Sequence, residues 1–175
     1  MDPGTTLMGY GIIEVKGKKL KLIAMGVIDL KKYKDQALKM EKIFTRSIEL
    51  IDQFHPDELA VEAPFFGKNV QSMLKLGRAQ GIAIAAALSR KLPFSEYAPK
   101  KIKQSITGNG NAAKEQVAAM LESILNTKID VKYMDATDGL AVALCHHYQS
   151  SSENLKGNSG SWAKFIKANP DRLGS

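Results

Sequence analysis

The sequence predicts an α/β fold: a mixed sheet, flanked by helices, that starts with an antiparallel hairpin and adds parallel strands. Apolar and charged residues alternate on both sides of Gly17-Lys18, a pattern typical of two strands joined by a tight turn. Residues 58–62 and 92–98 are short apolar segments typical of buried strands. Each of these segments follows a stretch with helical spacing, and crossover helices are what connect parallel strands.

The first predicted elements lie in order along the chain. Residues 9–15 and 19–27 form the hairpin, and residues 31–55 form a helix that ends before Pro56, since proline cannot continue it. After the strand at 58–62, residues 70–90 have the spacing of a long helix. Small residues along this helix favour close packing against a sheet or a second subunit.

The second half is predicted to be mostly helical. A short lysine-rich helix follows the strand at 92–98, and a glycine-containing loop at 107–111 precedes a helix that starts near Ala113. A last helix begins near Asp135 and ends near His147. We therefore expect a single folded domain over residues 1–149 and a polar tail over residues 150–175.

Composition narrows the function. The chain of 175 residues carries a net charge of +7, which favours polyanionic partners such as nucleic acid. A single cysteine rules out an intrachain disulfide and is typical of a reducing cytoplasm. No stretch of about 18 apolar residues is present, and no secretory signal opens the chain, so we expect a cytoplasmic protein with no membrane partner.

Asp135 and Asp138 are the most informative pair of residues. They are separated by one helical turn at the start of an apolar helix, so both carboxylates lie on one face. Like charges held side by side repel, and a divalent cation relieves that repulsion. The alternative is that either residue only caps the helix or interacts favourably with its dipole.

Two isolated acids strengthen the cation-site interpretation. Asp2 lies in a turn formed with Pro3 and Gly4, and Glu62 lies at the carboxyl end of a predicted strand. Functional sites of helix-flanked sheets gather at the carboxyl ends of strands. Glu62 could instead be an ordinary solvated strand end.

Two loops could contact DNA. In the first, Phe65 and Phe66 precede Lys68 and Asn69, and such aromatics can stack on exposed bases, although either could belong to the core. The second loop, at 107–111, is flanked by lysines that could bind phosphates or could simply form a solvated face.

Five segments together resemble the RuvC family of Holliday junction resolvases, in the ribonuclease-H-like superfamily. They occur in family order and cover residues 2 to about 149. The segments are Asp2-Pro3-Gly4-Thr5-Thr6 with Gly9-Tyr10-Gly11, then residues 61–69, 74–81, 97–108 and 135–141.

The resemblance implies a homodimeric endonuclease that makes symmetric nicks in four-way DNA junctions during homologous recombination and repair, leaving 5′-phosphate and 3′-hydroxyl ends. It implies two Mg²⁺ ions per subunit, with Mn²⁺ as a substitute, and the RuvAB branch-migration complex as a partner. The helix with Gly77 and Gly81 resembles the family's dimer helix. Four acids match the catalytic, metal-binding set: Asp2, Glu62, Asp135 and Asp138. Six residues are expected at the DNA: Phe65, Lys68, Asn69, Lys100, Lys103 and Lys114.

One departure from the family and one rival fold leave alternatives open. The family has an apolar strand ahead of its first aspartate, whereas only Met1 precedes Asp2 here, so the first strand is expected to be truncated. A protein that binds junctions but cleaves them poorly is therefore one alternative. An actin-like ATPase also uses an Asp-x-Gly-Thr turn, but it needs a second lobe that 175 residues do not supply.

Overall fold

A computed structural model describes residues 1–64, 69–129 and 134–158 of the chain. Four strands and five helices are present in this part. They are β1 (Leu7–Lys16), β2 (Lys19–Asp29), α1 (Gln36–Phe54), β3 (Leu59–Glu62), α2 (Val70–Ser89), β4 (Phe94–Tyr97), α3 (Pro99–Thr107), α4 (Lys114–Leu125) and α5 (Met134–Asn158).

The strands form two pairs that Met1 and Asp2 connect. β1 pairs with β2 in antiparallel register, and β3 pairs with β4 in parallel register. The Glu62 N–H donates to the Met1 carbonyl oxygen at 3.0 Å, while Asp2 and Gly9 exchange backbone hydrogen bonds at 2.9 and 3.2 Å. The predicted mixed sheet, antiparallel first and then parallel, is confirmed. Its central link is this two-residue segment.

Helices cover both faces of this sheet. On one face, α5 lies along β1, and the core there includes Leu121, Leu140, Val142 and Leu144, all fully buried. On the other face, buried residues of the hairpin pack against α1 and α2. Burying a leucine of this kind contributes about 2 kcal/mol to folding. The two cores hold the carboxyl end of β3 and the start of α5 at the same edge of the sheet.

Local chemistry fixes where the helices begin. The Asp35 carboxylate accepts from the Ala37 N–H at 2.7 Å and caps α1. Asn69 caps α2 in the same way, and Pro99 occupies the first turn of α3, where its missing N–H is tolerated.

The last helix is longer than predicted. The sequence predicts an end near His147, but α5 continues to Asn158, so the expected boundary at residue 149 falls within it. His146 therefore lies inside the helix, where it contacts the Tyr97 hydroxyl at 2.7 Å and Glu58 at 2.8 Å. Residues 159–175, most of the expected tail, lie outside the described residues. No helix in the described part is long and apolar enough to cross a bilayer.

Candidate active site

Glycines let α5 lie directly on β1, and this contact positions the aspartates of α5. A Cβ on Gly9 would lie 2.1 Å from the Asp135 carbonyl oxygen. A Cβ on Gly139 would lie 2.6 Å from backbone atoms of Tyr10. No side chain fits at either position. The first turns of α5 are therefore held at the start of β1, next to Asp2.

The close approach of α5 to β1 predicts a strong effect of one added methyl group. We expect Gly139→Ala to lower the free energy of unfolding by about 3 kcal/mol, because backbone atoms must move to accommodate the new Cβ. The variant should also lower nuclease activity more than the reduced stability explains, since Asp138 moves with the helix. Chemical denaturation together with activity at a temperature where the variant is folded checks this. An unchanged unfolding midpoint would contradict the contact.

Asp2 and Glu62 carry raised pKa values. Burial raises the pKa of Asp2 to about 6, with a further contribution from the negative charge of Asp138. Burial raises the pKa of Glu62 to about 7, and the charges of Asp2 and Asp138 add to it. Residues from β3, from the turn before β1 and from α5 therefore affect one another electrostatically.

Lys114 lies between the two aspartates of α5. Its Nζ donates to Asp138 Oδ2 at 2.7 Å and to Asp135 Oδ1 at 3.1 Å. Burial lowers the pKa of Lys114, but the hydrogen bonds and negative charges of Asp138 and Asp135 together outweigh burial, and the net pKa is raised. The pKa of Asp138 is raised chiefly by burial, although Lys114 acts to lower it. The ammonium thus supplies the positive charge that the pair of carboxylates requires.

A role at the start of the helix accounts for Asp135 but not for Asp138. Asp135 lies in the first turn of α5, where the helix dipole favours a negative charge. Asp138 lies one turn further on and is too far into the helix to cap it. A capping role therefore does not account for the pair.

The carboxylates of the four acids are chemically suited to bind Mg²⁺, although they do not surround a common point. Carboxylate oxygens are the ligands that Mg²⁺ prefers. Among the described residues, however, no group of three or more His, Cys, Asp or Glu side chains lies close enough to hold a metal ion. Lys114 is hydrogen bonded to two of the expected ligands. A metal-holding arrangement therefore requires Lys114 to leave at least one aspartate.

Lys103 and Lys100 both lie on α3. Lys103 Nζ donates to the Ala112 carbonyl oxygen at 2.9 Å and joins α3 to the loop before α4. The positive charge of Lys103 also lowers the pKa of Glu62, as one of the smaller contributions. Lys100 is exposed.

The loop before α2 is only partly described. Asn69 Oδ1 accepts from the Ser72 N–H at 3.0 Å, so this oxygen serves as the helix cap. Phe65 and Lys68, both predicted to contact DNA, lie outside the described residues.

Sequence reasoning missed Gln80 as a residue that supports the site. It is only 6% exposed, and its Nε2 donates to the Glu62 carbonyl oxygen at 3.2 Å and to Glu96 Oε1 at 2.6 Å. This amide ties α2 to the carboxyl end of β3. The signal was a lone glutamine on a helix face otherwise made of small apolar residues.

Comparison with known proteins identifies the family. The sequence profile described as "Crossover junction endodeoxyribonuclease RuvC" matches residues 1–146. The chain belongs to the RuvC family. A curated RuvC from Cytophaga hutchinsonii is 61% identical over 173 residues, which cover 99% of this chain and 86% of that relative.

Solved RuvC structures share the fold. The Thermus thermophilus RuvC structure matches with a TM-score of 0.78 at 33% identity, covering 87% of this chain and 93% of that one. T. thermophilus RuvC in complex with a Holliday junction substrate matches with a TM-score of 0.78 at 34% identity, covering 85% and 91%. The predicted family and fold class are confirmed. Nothing in these matches supports an actin-like ATPase, and RuvC proteins are metal-dependent nucleases.

Proposed function

We propose that this RuvC-family chain resolves four-way DNA junctions in the cytoplasm during homologous recombination and repair, by making symmetric nicks. The observation that carries the proposal is the shared environment of four acids from distant parts of the chain. We call them the acidic cluster: Asp2, Glu62, Asp135 and Asp138.

The acidic cluster is suited to bind cations. Burial and mutual repulsion make its charged form unfavourable, as the raised pKa values of Asp2 and Glu62 indicate. Divalent cations favour the charged form, and we propose two Mg²⁺ ions per subunit, with Mn²⁺ as a substitute. When bound, these ions would supply an activated water and stabilise the departing 3′ oxygen. The products would carry 5′-phosphate and 3′-hydroxyl ends.

Lys114 is proposed to exchange partners during this process. Its ammonium balances Asp135 and Asp138 when no other cation does so. Once the carboxylates have another cation, Nζ is free to contact the phosphate that is being cut. Since the side chain is 38% exposed, it can rotate towards DNA without unfolding α4.

A basic surface beside the cluster is proposed to position the junction. Its expected DNA contacts are Phe65, Lys68, Asn69, Lys100, Lys103 and Lys114. Lys103 is anchored to the Ala112 carbonyl and lies close enough to affect the pKa of Glu62, so it can act near the cut phosphate. Lys100 lies one helical turn away, where it can bind a neighbouring phosphate.

The outer face of α2 supports a homodimer. Val70 and Leu74 are 60% and 51% exposed, and Leu88 further along the helix is 54% exposed. A Cβ placed on Gly77 or Gly81 would meet no atom within 4 Å. Such an apolar face, open at its small residues, suits a second copy of the helix. A twofold dimer would present two acidic clusters to a junction that is itself twofold symmetric. RuvAB is the proposed branch-migration partner.

The α2 dimer face predicts the effect of one substitution. We expect Leu74→Glu to convert the dimer into a monomer, because it would bury a charge in an apolar interface. Leu38→Glu is the matched control, since Leu38 is similarly exposed, at 49%, but lies on α1. Sedimentation velocity at micromolar concentration distinguishes the two. A dimer that persists in Leu74→Glu would place the interface elsewhere.

Nicking of a synthetic junction tests the proposed function. With Mg²⁺, the protein should nick two opposite strands of a four-way junction and leave a linear duplex of the same sequence intact. DNA ligase should reseal the nicks, and EDTA should abolish them. Tight junction binding without any nicking would instead support the alternative of a junction-binding protein with impaired cleavage.

A further inference from the structure

Six cationic residues cluster between the end of β2 and the middle of α1, outside the surface assigned above. They are Lys31, Lys32, Lys34, Lys39, Lys42 and Arg46. The same stretch has two acids, Asp35 and Glu41, and the Asp35 carboxylate is already used to cap α1. A strong positive potential therefore lies beside the first half of α1.

Three of these cations lie on one face of α1, and the first of them bonds to the turn that follows Asp2. Lys39, Lys42 and Arg46 are spaced three and four residues apart, so their side chains share a face. Lys39 Nζ donates to the Thr5 carbonyl oxygen at 2.7 Å. Since Thr5 is only three residues from Asp2, their Cα atoms are at most ~11 Å apart. From Lys39 the row extends ~10 Å along the helix.

A surface cavity of about 240 Å³ lies further along this row. Its cationic lining comes from Lys32, Lys42 and Arg46, with Asp29 as its acid. Arg46 is bonded to Glu49 at 2.8 Å. Within the described residues, neither Lys32 nor Lys42 forms an ion pair with a carboxylate. An anion in the cavity would relieve the repulsion among these like charges.

We propose that this row binds phosphates of the DNA duplex that leaves the cut site, so that α1 holds one arm of the junction. We call this row, together with Lys32 from the same cavity, the phosphate track: Lys32, Lys39, Lys42 and Arg46. One DNA strand carries a phosphate every ~3.4 Å of helix axis, so a ~10 Å row spans about three phosphates. A charge run is often only a solvated face. Here the row is anchored at the turn that follows Asp2, and it ends in a cavity where Lys42 and Lys32 have no carboxylate partner among the described residues, although Lys32 Nζ lies 5.2 Å from the centre of the Tyr33 ring. The proposal rests on the proposed function.

The double variant Lys32→Gln/Lys42→Gln tests the phosphate track. It removes two positive charges without breaking an ion pair between described residues. Lys18→Gln/Lys19→Gln is the matched control, because it removes the same charge at the hairpin tip, at the far end of β1 from Asp2. Affinities for a junction with arms of about 20 base pairs are measured in EDTA at several salt concentrations.

We expect the track variant to bind this junction about 10-fold more weakly at 100 mM salt. The slope of log affinity against log salt should fall by about 1.8, or about 0.9 for each phosphate that the variant no longer neutralises. The control variant should show neither effect. Equal slopes for the track variant and the wild type, or an equal loss of affinity in the control variant, would overturn the track. A wild type that binds junctions without nicking them would overturn only the proposed function, and one that binds no DNA would overturn both.

Discussion

Asp138→Asn is expected to lower the rate of Mg²⁺-dependent junction nicking by at least about 100-fold, which corresponds to about 3 kcal/mol in the barrier. Asp138 connects the parts of the acidic cluster, since it affects the pKa values of both Asp2 and Glu62 and bonds to Lys114. An amide binds Mg²⁺ much less well than a carboxylate because it carries no charge. Nicking under single-turnover conditions measures the decrease directly.

Measuring junction binding by Asp138→Asn distinguishes a loss of catalysis from misfolding. Without metal, Asp138→Asn should bind the junction at least as tightly as the wild type, because one negative charge facing the phosphates is gone. Asp57→Asn is a suitable control: Asp57 is exposed, lies outside the cluster and should retain full activity. Nicking by Asp138→Asn at the wild-type rate would show that Asp138 does not participate in the reaction.

Glu62→Gln is expected to stabilise the metal-free protein at pH 8 by about 1–2 kcal/mol, a discounted value for a shift in a half-buried group. The pKa of Glu62 is raised from 4.5 to about 7, and that of Asp2 from 3.8 to about 6. Between the unfolded and folded pKa values, the folded state binds more protons. The free energy of unfolding therefore falls as the pH rises from about 4 to about 7.

Urea unfolding in EDTA at pH 4 and pH 8 checks whether the free energy of unfolding falls as the pH rises. Glu62→Gln and the wild type should have similar stability at pH 4, where both side chains are neutral, and should differ at pH 8. Mg²⁺ at pH 8 should stabilise the wild type more than the variant, since cations favour the charged carboxylates. Glu41→Gln, at an exposed position on α1, is the control and should change neither result. A wild type as stable at pH 8 as Glu62→Gln would contradict the raised pKa.

Local patterns in the sequence are enough to predict the elements of the fold. Alternation around Gly17-Lys18 predicts the hairpin, and Pro56 ends α1 within two residues of the predicted position. These signals are short-range, because turn residues and side-chain periodicity act within a few positions of the chain. The predicted end of α5 is wrong because the serine-rich segment after His147 carries only weak local signals.

The sequence by itself determined which acids to examine: Asp135 and Asp138 share a helix face by spacing alone, and Glu62 ends a strand. Only the tertiary structure decided that the charge of Asp138 reaches Asp2 and Glu62, because Gly9 and Gly139 allow α5 to lie against β1. It also decided that Lys114 lies between the aspartates of α5. Contacts between residues distant in the chain depend on how the helices and sheet pack together, and a local sequence pattern does not record that packing.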